Sequence, residues 1–143
     1  MGTWFDGVQK QSPWWQVEGS WPASSDDALV GARLARKLGL APGRAVHVRT
    51  TQGERSFQIA GLLETGNVEE EQVFLALSAA QALAGKRGKT SLVQVSALSQ
   101  KEPLSRLAQR LEQAISGSEV RVVGQIAKAE ARVLGKVKLL MFL

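Results

Sequence analysis

The stretch Val46-His-Val-Arg-Thr-Thr-Gln-Gly-Glu-Arg-Ser-Phe-Gln-Ile-Ala-Gly-Leu-Leu63 decides the fold. Apolar and polar residues alternate on both sides of Gln52-Gly53-Glu54, a pattern typical of two half-buried strands joined by a tight turn. The apolar positions of the returning strand share one face: Phe57, Ile59, Gly61 and Leu63. The sequence therefore predicts a hairpin whose returning strand turns this face towards the core.

The segment before the hairpin predicts a helix. Ser25-Asp26-Asp27 offers an N-cap and acidic first-turn residues, and Gly39 directly after Leu38 is a typical helix end. The apolar residues of this predicted helix fall broadly on one side: Leu29, Ala32, Leu34, Ala35 and Leu38. Residues 1–24 are rich in Trp, Gly, Ser and Pro and show no period, so an irregular arm is expected there.

After the hairpin, short helices and strands are expected to alternate. The predicted strands are Val73–Leu75, Leu92–Ala97 with Val93, Val95 and Ala97 inward, and a strand containing Val120, Val122 and Val123. The predicted helices run from Leu77 to Gly85, from Pro103 to Ile115, and over the last twenty residues. This order predicts an α+β fold of two lobes: a β-rich lobe with its Trp-rich arm in residues 1–86, and a second lobe in residues 87–143.

Composition and charge narrow the class of protein. The chain has 143 residues, of which 44% are hydrophobic and 22% charged, as expected of a globular protein. The net charge is +5, and the last helix alone carries Lys128, Arg132, Lys136 and Lys138. All four Trp lie within the first twenty-one residues, far from these basic side chains. This distribution suits anionic lipid headgroups and argues against nucleic acid as a partner.

The residue types needed for catalysis are scarce. The chain has no cysteine, which excludes disulfides and thiolate chemistry, and one histidine. His47 lies between the inward positions Val46 and Val48 and is expected to face solvent. The glycines form no phosphate-binding loop. The sequence therefore predicts a protein that is not an enzyme, with no catalytic, cofactor or metal residues.

Two clusters are candidates for partner or ligand contact. The first is Glu69, Glu70 and Glu71 in an acidic loop, where a solvated loop, metal binding and contact with a basic partner surface remain open. The second is Trp14, Trp15 and Trp21. These tryptophans either fold the arm down onto the hairpin core, or contact a membrane surface, a partner or a ligand.

The last segment, Gly124–Leu143, grows steadily more apolar, and Leu139–Leu143 contains no polar residue. A membrane span needs ~20 such residues, so this segment is too short to cross a bilayer alone. The pattern predicts a helix that leads into a transmembrane span. The alternative is an ordinary C-terminal helix packed on a core.

Several segments together carry a resemblance to a known family. They are Trp14-Trp-Gln-Val-Glu-Gly-Ser-Trp-Pro22, Ala28-Leu-Val-Gly-Ala-Arg-Leu-Ala-Arg-Lys-Leu-Gly-Leu-Ala-Pro-Gly-Arg-Ala-Val-His-Val48, Gly61-Leu-Leu-Glu-Thr-Gly-Asn-Val-Glu-Glu-Glu-Gln-Val-Phe-Leu75, Leu77–Leu83, Val93–Leu98 and Gln125–Met141. Across residues 13–143 the chain resembles the extracytoplasmic domain of MacB/FtsX/LolC-type ABC transporter permeases. The strand and helix that this family has directly after its first transmembrane helix are not evident before Trp4.

The resemblance implies a non-catalytic domain between two transmembrane helices, on the periplasmic or extracellular side of the plasma (inner) membrane. Residues 1–86 would form its distal lobe, and residues 87–143 the second half of its membrane-proximal lobe. Its partners would be a second permease subunit, identical or different, a cytoplasmic ABC ATPase and a periplasmic protein. The final helix, with Lys128, Arg132, Gly135 and Lys136, would transmit motion from the membrane. Residues 28–48 with Gly53 also resemble small β-barrels, so a soluble ligand-binding module unrelated to transport is the alternative.

Overall fold

The computed structural model describes residues 1–97 and 102–122. The chain divides into two compact units, Met1–Val93, called the sheet unit below, and Gln94–Leu143. The sheet unit contains β1 (Gly2–Thr3), α1 (Phe5–Gln11), β2 (Gln16–Gly19), β3 (Asp27–Gly31), α2 (Ala32–Leu38), β4 (Ala45–Thr50), β5 (Gly53–Glu64), a 3-10 turn (Val68–Glu71), β6 (Val73–Ala76) and α3 (Leu77–Leu83). The second unit contains α4 (Leu104–Ala114). This mixture of helices and a six-stranded mixed sheet confirms the predicted α+β class.

The twelve-residue strand β5 organises the sheet. Its first half pairs with β4 in the predicted antiparallel hairpin, and its second half pairs antiparallel with β2. Its other edge pairs in parallel with β3, which in turn pairs antiparallel with β6. The order of paired strands is β1-β6-β3-β5-β2, with β4 beside β5. The four predicted positions of β5, Phe57, Ile59, Gly61 and Leu63, are all buried. They do not share one face throughout, because the pairing with β3 shifts register between Ile59 and Gly61, and Leu63 packs in a different core cluster from Phe57 and Ile59.

The sheet has a hydrophobic core on each face. Successive side chains of a strand point to opposite faces, and Ala28, Leu29 and Val30 of β3 are all completely buried. Ala28 and Val30 join one cluster with Phe57 and Ile59. Leu29 joins the other cluster with Phe5, Leu63 and Phe74. Strand β3 is therefore the centre of the unit, covered on both faces.

The prediction of a helix from Ser25 to Leu38 is wrong in its first half. Residues Asp27–Gly31 form β3, and the helix begins only at Ala32. A strand buried on both faces is apolar at nearly every position, so its sequence lacks the alternation that identifies a half-buried strand. The predicted helix end is confirmed, because Gly39 adopts the left-handed conformation with φ of 64°.

The prediction of an irregular arm over residues 1–24 is also wrong. This segment contributes two strands and one helix to the sheet unit. Strands β1 and β2 have two and four residues, and α1 has seven. Elements this short show no reliable period of their own, and pairing with β6 and β5 stabilises the two strands.

After the hairpin, the predicted strand Val73–Leu75 is confirmed as β6 and two predicted helices are confirmed, but the two later strands are not. Helices α3 and α4 are confirmed within two residues of their predicted ends. Residues 92–97 form no strand, and Val93 and Val95 are 73% and 63% exposed. Val120 and Val122 lie outside any strand. Alternating valines do not make a strand unless a neighbouring strand pairs with them. Val123 and the predicted final helix lie outside the described residues.

Within residues 1–97 and 102–122, no helix combines the length and the apolar composition that crossing a bilayer requires. The assignment of the two units to distal and membrane-proximal lobes stays a prediction.

Candidate functional site

The acidic loop, residues 65–71, is organised around one buried carboxylate. Glu70 Oε1 accepts hydrogen bonds from the backbone N–H groups of Thr65 (2.8 Å) and Gly66 (2.6 Å). Its Oε2 accepts from Arg33 Nε of α2 at 3.1 Å. Arg33 also donates to the carbonyl oxygen of Asn67. The Glu70 side chain thereby binds the two ends of the loop to each other and to α2.

The prediction of a solvated acidic loop is wrong for Glu70, because this residue is only 8% exposed. A buried carboxylate must be hydrogen-bonded or paired, and here it is both. Glu69 and Glu71 lie nearer the surface. Thr65 Oγ1 donates to Glu69 at 3.3 Å, and Glu71 lies 3.5 Å from Arg33 Nη1. Glu71 also lies 4.0 Å from Lys37 Nζ of α2. The three glutamates therefore differ in role: Glu70 holds the loop together, Glu71 adds ion pairs to α2, and contact of Glu69 and Glu71 with a partner stays a prediction.

The pKa of Glu70 is held below its ordinary value. The N–H groups of Gly66 and Thr65 are the main cause, burial acts in the opposite direction, and Arg33 lowers the pKa further. A carboxyl with a lower pKa in the folded state stabilises that state fully above its unfolded pKa, ~4.3 for Glu. This contribution is lost as the pH falls through the lower, folded-state pKa.

We therefore expect acid to weaken the sheet unit partly through Glu70. The melting temperature should fall as the pH is lowered from about 5 to about 2.5, the range in which native carboxylates become protonated. The Glu70→Gln variant should melt lower at neutral pH and show a shallower fall, because Gln has no charge to lose. Melting curves followed by circular dichroism check this, and parallel curves for the two proteins would contradict it.

The three candidate tryptophans do not lie in one contact surface. Trp15 packs edge-on against Phe74, with ring centroids 5.4 Å apart, and Trp21 packs edge-on against Phe5 at 6.3 Å. Both extend the core cluster that contains Leu29. Trp14 is 62% exposed. Trp15 and Trp21 thus fold the N-terminal segment onto the sheet, and contact with a partner stays a prediction that Trp14 fits best.

Substitution by alanine should separate these two roles. Trp15→Ala removes a half-buried ring from Phe74 and is expected to lower the free energy of unfolding by about 2–3 kcal/mol. Trp14→Ala is its matched control and should change stability by less than about 0.5 kcal/mol, as is usual for exposed sites. Urea titrations of both variants measure this difference. Equal losses of stability would show that Trp14, too, is held in the core.

A groove of about 480 Å³, called the Trp4 groove below, is a site that the sequence did not predict. It lies between the start of α1, residues 22–25 and the start of α3. Its polar and aromatic lining includes Trp4, Asp6, Ser24, Ser25, Ser78 and Gln81. The available signal was the pair Trp4-Phe5: neighbouring side chains point in different directions, so burial of Phe5 turns Trp4 outward. The prediction of an irregular arm over residues 1–24 did not take this pair into account.

The remaining candidates are the single histidine, possible metal ligands and the proposed transmission residues. His47 is exposed, as predicted, and lies 3.8 Å from Glu54. Across the part of the chain that the structure describes, no three Asp, Glu or His side chains are grouped so as to hold a metal ion. The proposed transmission residues Lys128, Arg132, Gly135 and Lys136 lie outside the described residues.

Comparison with known proteins leaves the family open, since no family model matches the chain and no curated protein matches it significantly.

Proposed function

We propose that this chain is a non-catalytic, extracytoplasmic domain of an ABC transporter permease. In this proposal a separate cytoplasmic subunit binds and hydrolyses ATP. The domain couples the resulting motion of transmembrane helices to the handling of a substrate or partner protein outside the membrane. The permease acts as a pair of subunits, identical or different, and the final helix predicted from the sequence, with Lys128, Arg132, Gly135 and Lys136, transmits the motion.

The observation that carries the proposal is the way the segments resembling permeases fit together. Trp14–Pro22 contains β2, Ala28–Val48 contains β3, α2 and most of β4, and Gly61–Leu75 contains the end of β5, the acidic loop and most of β6. These segments are separate in sequence but adjacent in the sheet, because β5 pairs with both β2 and β3, and β3 pairs with β6. These three segments therefore belong to one packed unit, which supports the proposal that they come from a single inserted domain.

The charge pattern of the last twenty residues adds to this support. Lys128, Arg132, Lys136 and Lys138 precede and flank the apolar run Leu139–Leu143. Basic side chains beside an apolar segment gain favourable electrostatic energy next to anionic lipid headgroups. This sequence pattern favours a position close to a membrane surface.

The test is purification of the natural polypeptide from its own cells through an affinity tag. After detergent extraction of the membrane fraction, we expect mass spectrometry to find an ABC ATPase bound to it. ATP hydrolysis by the purified complex should disappear when the Walker A lysine of that ATPase is replaced by alanine. Recovery of the polypeptide from the soluble fraction, with no ATPase bound, would contradict the proposal.

A further inference from the structure

The Trp4 groove presents an aromatic ring in a fixed position. Trp4 directly precedes α1 and is 67% exposed. Its ring lies against Gly7, since a Cβ atom added at Gly7 would come within 2.7 Å of Trp4 Cε3. The six-membered ring of the indole thus lies against α1 at Gly7, while most of the residue remains accessible. An exposed Trp held in this way is suited to stacking against a ligand.

The walls of the groove are also fixed in place. Next to Trp4, Phe5 is buried and packs against Trp21, which anchors the start of α1. On the opposite side, Asp27 Oδ2 accepts the N–H groups of Ala23 (3.0 Å) and Ser24 (2.9 Å). Burial opposes ionisation of Asp27, but these hydrogen bonds outweigh it and lower its pKa. The groove therefore exists before any ligand arrives, which reduces the entropy lost on binding.

The charge of the groove favours a ligand of positive charge. The polar lining consists of hydroxyl groups, the amide of Gln81 and one carboxylate, that of Asp6. No lysine, arginine or histidine is among the residues that line it. Within residues 1–97 and 102–122, no basic side chain forms an ion pair with Asp6. In a chain of net charge +5, this groove is a local site of negative charge beside an aromatic ring.

We propose that the Trp4 groove binds an arginine side chain carried by an extended peptide segment. The guanidinium group is planar and cationic, so it can stack on the indole of Trp4 and pair with the carboxylate of Asp6. The hydroxyls of Ser25 and Ser78 can hydrogen-bond the peptide backbone on either side. Gln81 Nε2 donates to the carbonyl oxygen of Lys89 at 2.8 Å, which leaves its Oε1 to accept from the peptide. A peptide is favoured over a free small cation because the groove is open to solvent, and an extended chain can contact all its walls. This inference does not rest on the proposed transport function.

Isothermal titration calorimetry on the full chain tests the proposal. The probe is the peptide acetyl-Gly-Ser-Ala-Arg-Ala-Ser-Gly-amide. One control peptide has citrulline, a neutral analogue of nearly the same shape, in place of Arg, and arginine amide represents a free small cation. We expect the Arg peptide to bind and the citrulline peptide to bind about fivefold to tenfold more weakly. Arginine amide should bind at least about tenfold more weakly than the Arg peptide.

Two variants locate the binding site. Trp4→Ala and Asp6→Asn should each weaken binding of the Arg peptide about fivefold. Leu38→Ala, which replaces a similarly exposed apolar residue outside the groove, should leave binding unchanged. Circular dichroism and melting temperatures show whether each variant is folded. If Trp4→Ala does not fold, Asp6→Asn still tests the site. Absence of binding at millimolar peptide, equal binding of the Arg and citrulline peptides, or an equal loss with Leu38→Ala would overturn the proposal. Binding of arginine amide as tight as that of the peptide would overturn the assignment of a peptide ligand.

Discussion

Replacing Gly31 with alanine is expected to destabilise the sheet unit by about 3 kcal/mol or more, a large part of the stability of a typical domain. A Cβ atom at this position would lie 2.2 Å from the carbonyl oxygen of Glu70 and 2.5 Å from its Cα. These are backbone atoms of the acidic loop, which cannot move aside as a flexible side chain can. Gly31 N–H also donates to the carbonyl oxygen of Gln72 at 2.8 Å, so the two segments are bonded at the point of contact.

Gly39→Ala is the matched control for Gly31→Ala. Gly39 has φ of 64°, but nothing lies within 4 Å of a Cβ atom added there. Alanine at Gly39 should therefore cost only the conformational strain, about 1 kcal/mol. Equilibrium unfolding in urea measures both variants. If Gly31→Ala were no less stable than Gly39→Ala, the close contact between β3 and the acidic loop would not exist.

Phe57→Ala is expected to lower the free energy of unfolding by about 4 kcal/mol, because it removes a fully buried aromatic ring from the larger core cluster. Phe57 lies on β5, and the guanidinium carbon of Arg55 lies 5.2 Å from its ring centroid. The cavity would open beside Ile59 and Val30, both held in strands that cannot collapse into it. Urea unfolding with an unchanged slope would show that stability, and not the folded state itself, has changed.

Ser56→Ala is the control for Phe57→Ala. Ser56 is the preceding residue of β5 and is exposed, so its variant should differ from the parent by less than about 0.5 kcal/mol. Similar losses for the two variants would mean that β5 does not present alternate residues to the core and to solvent. The assignment of Val46 opposite Phe57 in the hairpin would then also be wrong.

The hairpin and the helices with clear ends could be predicted because their signals are local. Alternation in β5 and the left-handed turn at Gly39 depend on residues that are close in sequence. Strand β3 could not be predicted in this way. Its residues are buried on both faces, because α2 packs on one face of the sheet and α1 on the other. Local sequence does not show that both faces of a strand will be covered.

The candidate sites show the same limit. The acidic loop was visible as a run of glutamates, but the burial of Glu70 depends on Arg33, thirty-seven residues earlier in the chain. The tryptophans were visible as a cluster, but only pairing of β2 with β5 and packing on Phe74 and Phe5 distinguish Trp15 and Trp21 from Trp14. The Trp4 groove combines three separate segments, and so no single stretch of sequence describes it.

The proposed location of this domain outside the plasma membrane is the central claim, and chemical labelling of a single cysteine tests it most directly. The chain contains no cysteine, so Ser56→Cys introduces one reactive thiol on the exposed side of β5. In intact cells that express the natural polypeptide with this substitution, a maleimide that does not cross the plasma membrane should modify the new thiol, and the parent protein provides the background. Modification only after the cells are lysed, with the denatured protein fully reactive, would contradict the account.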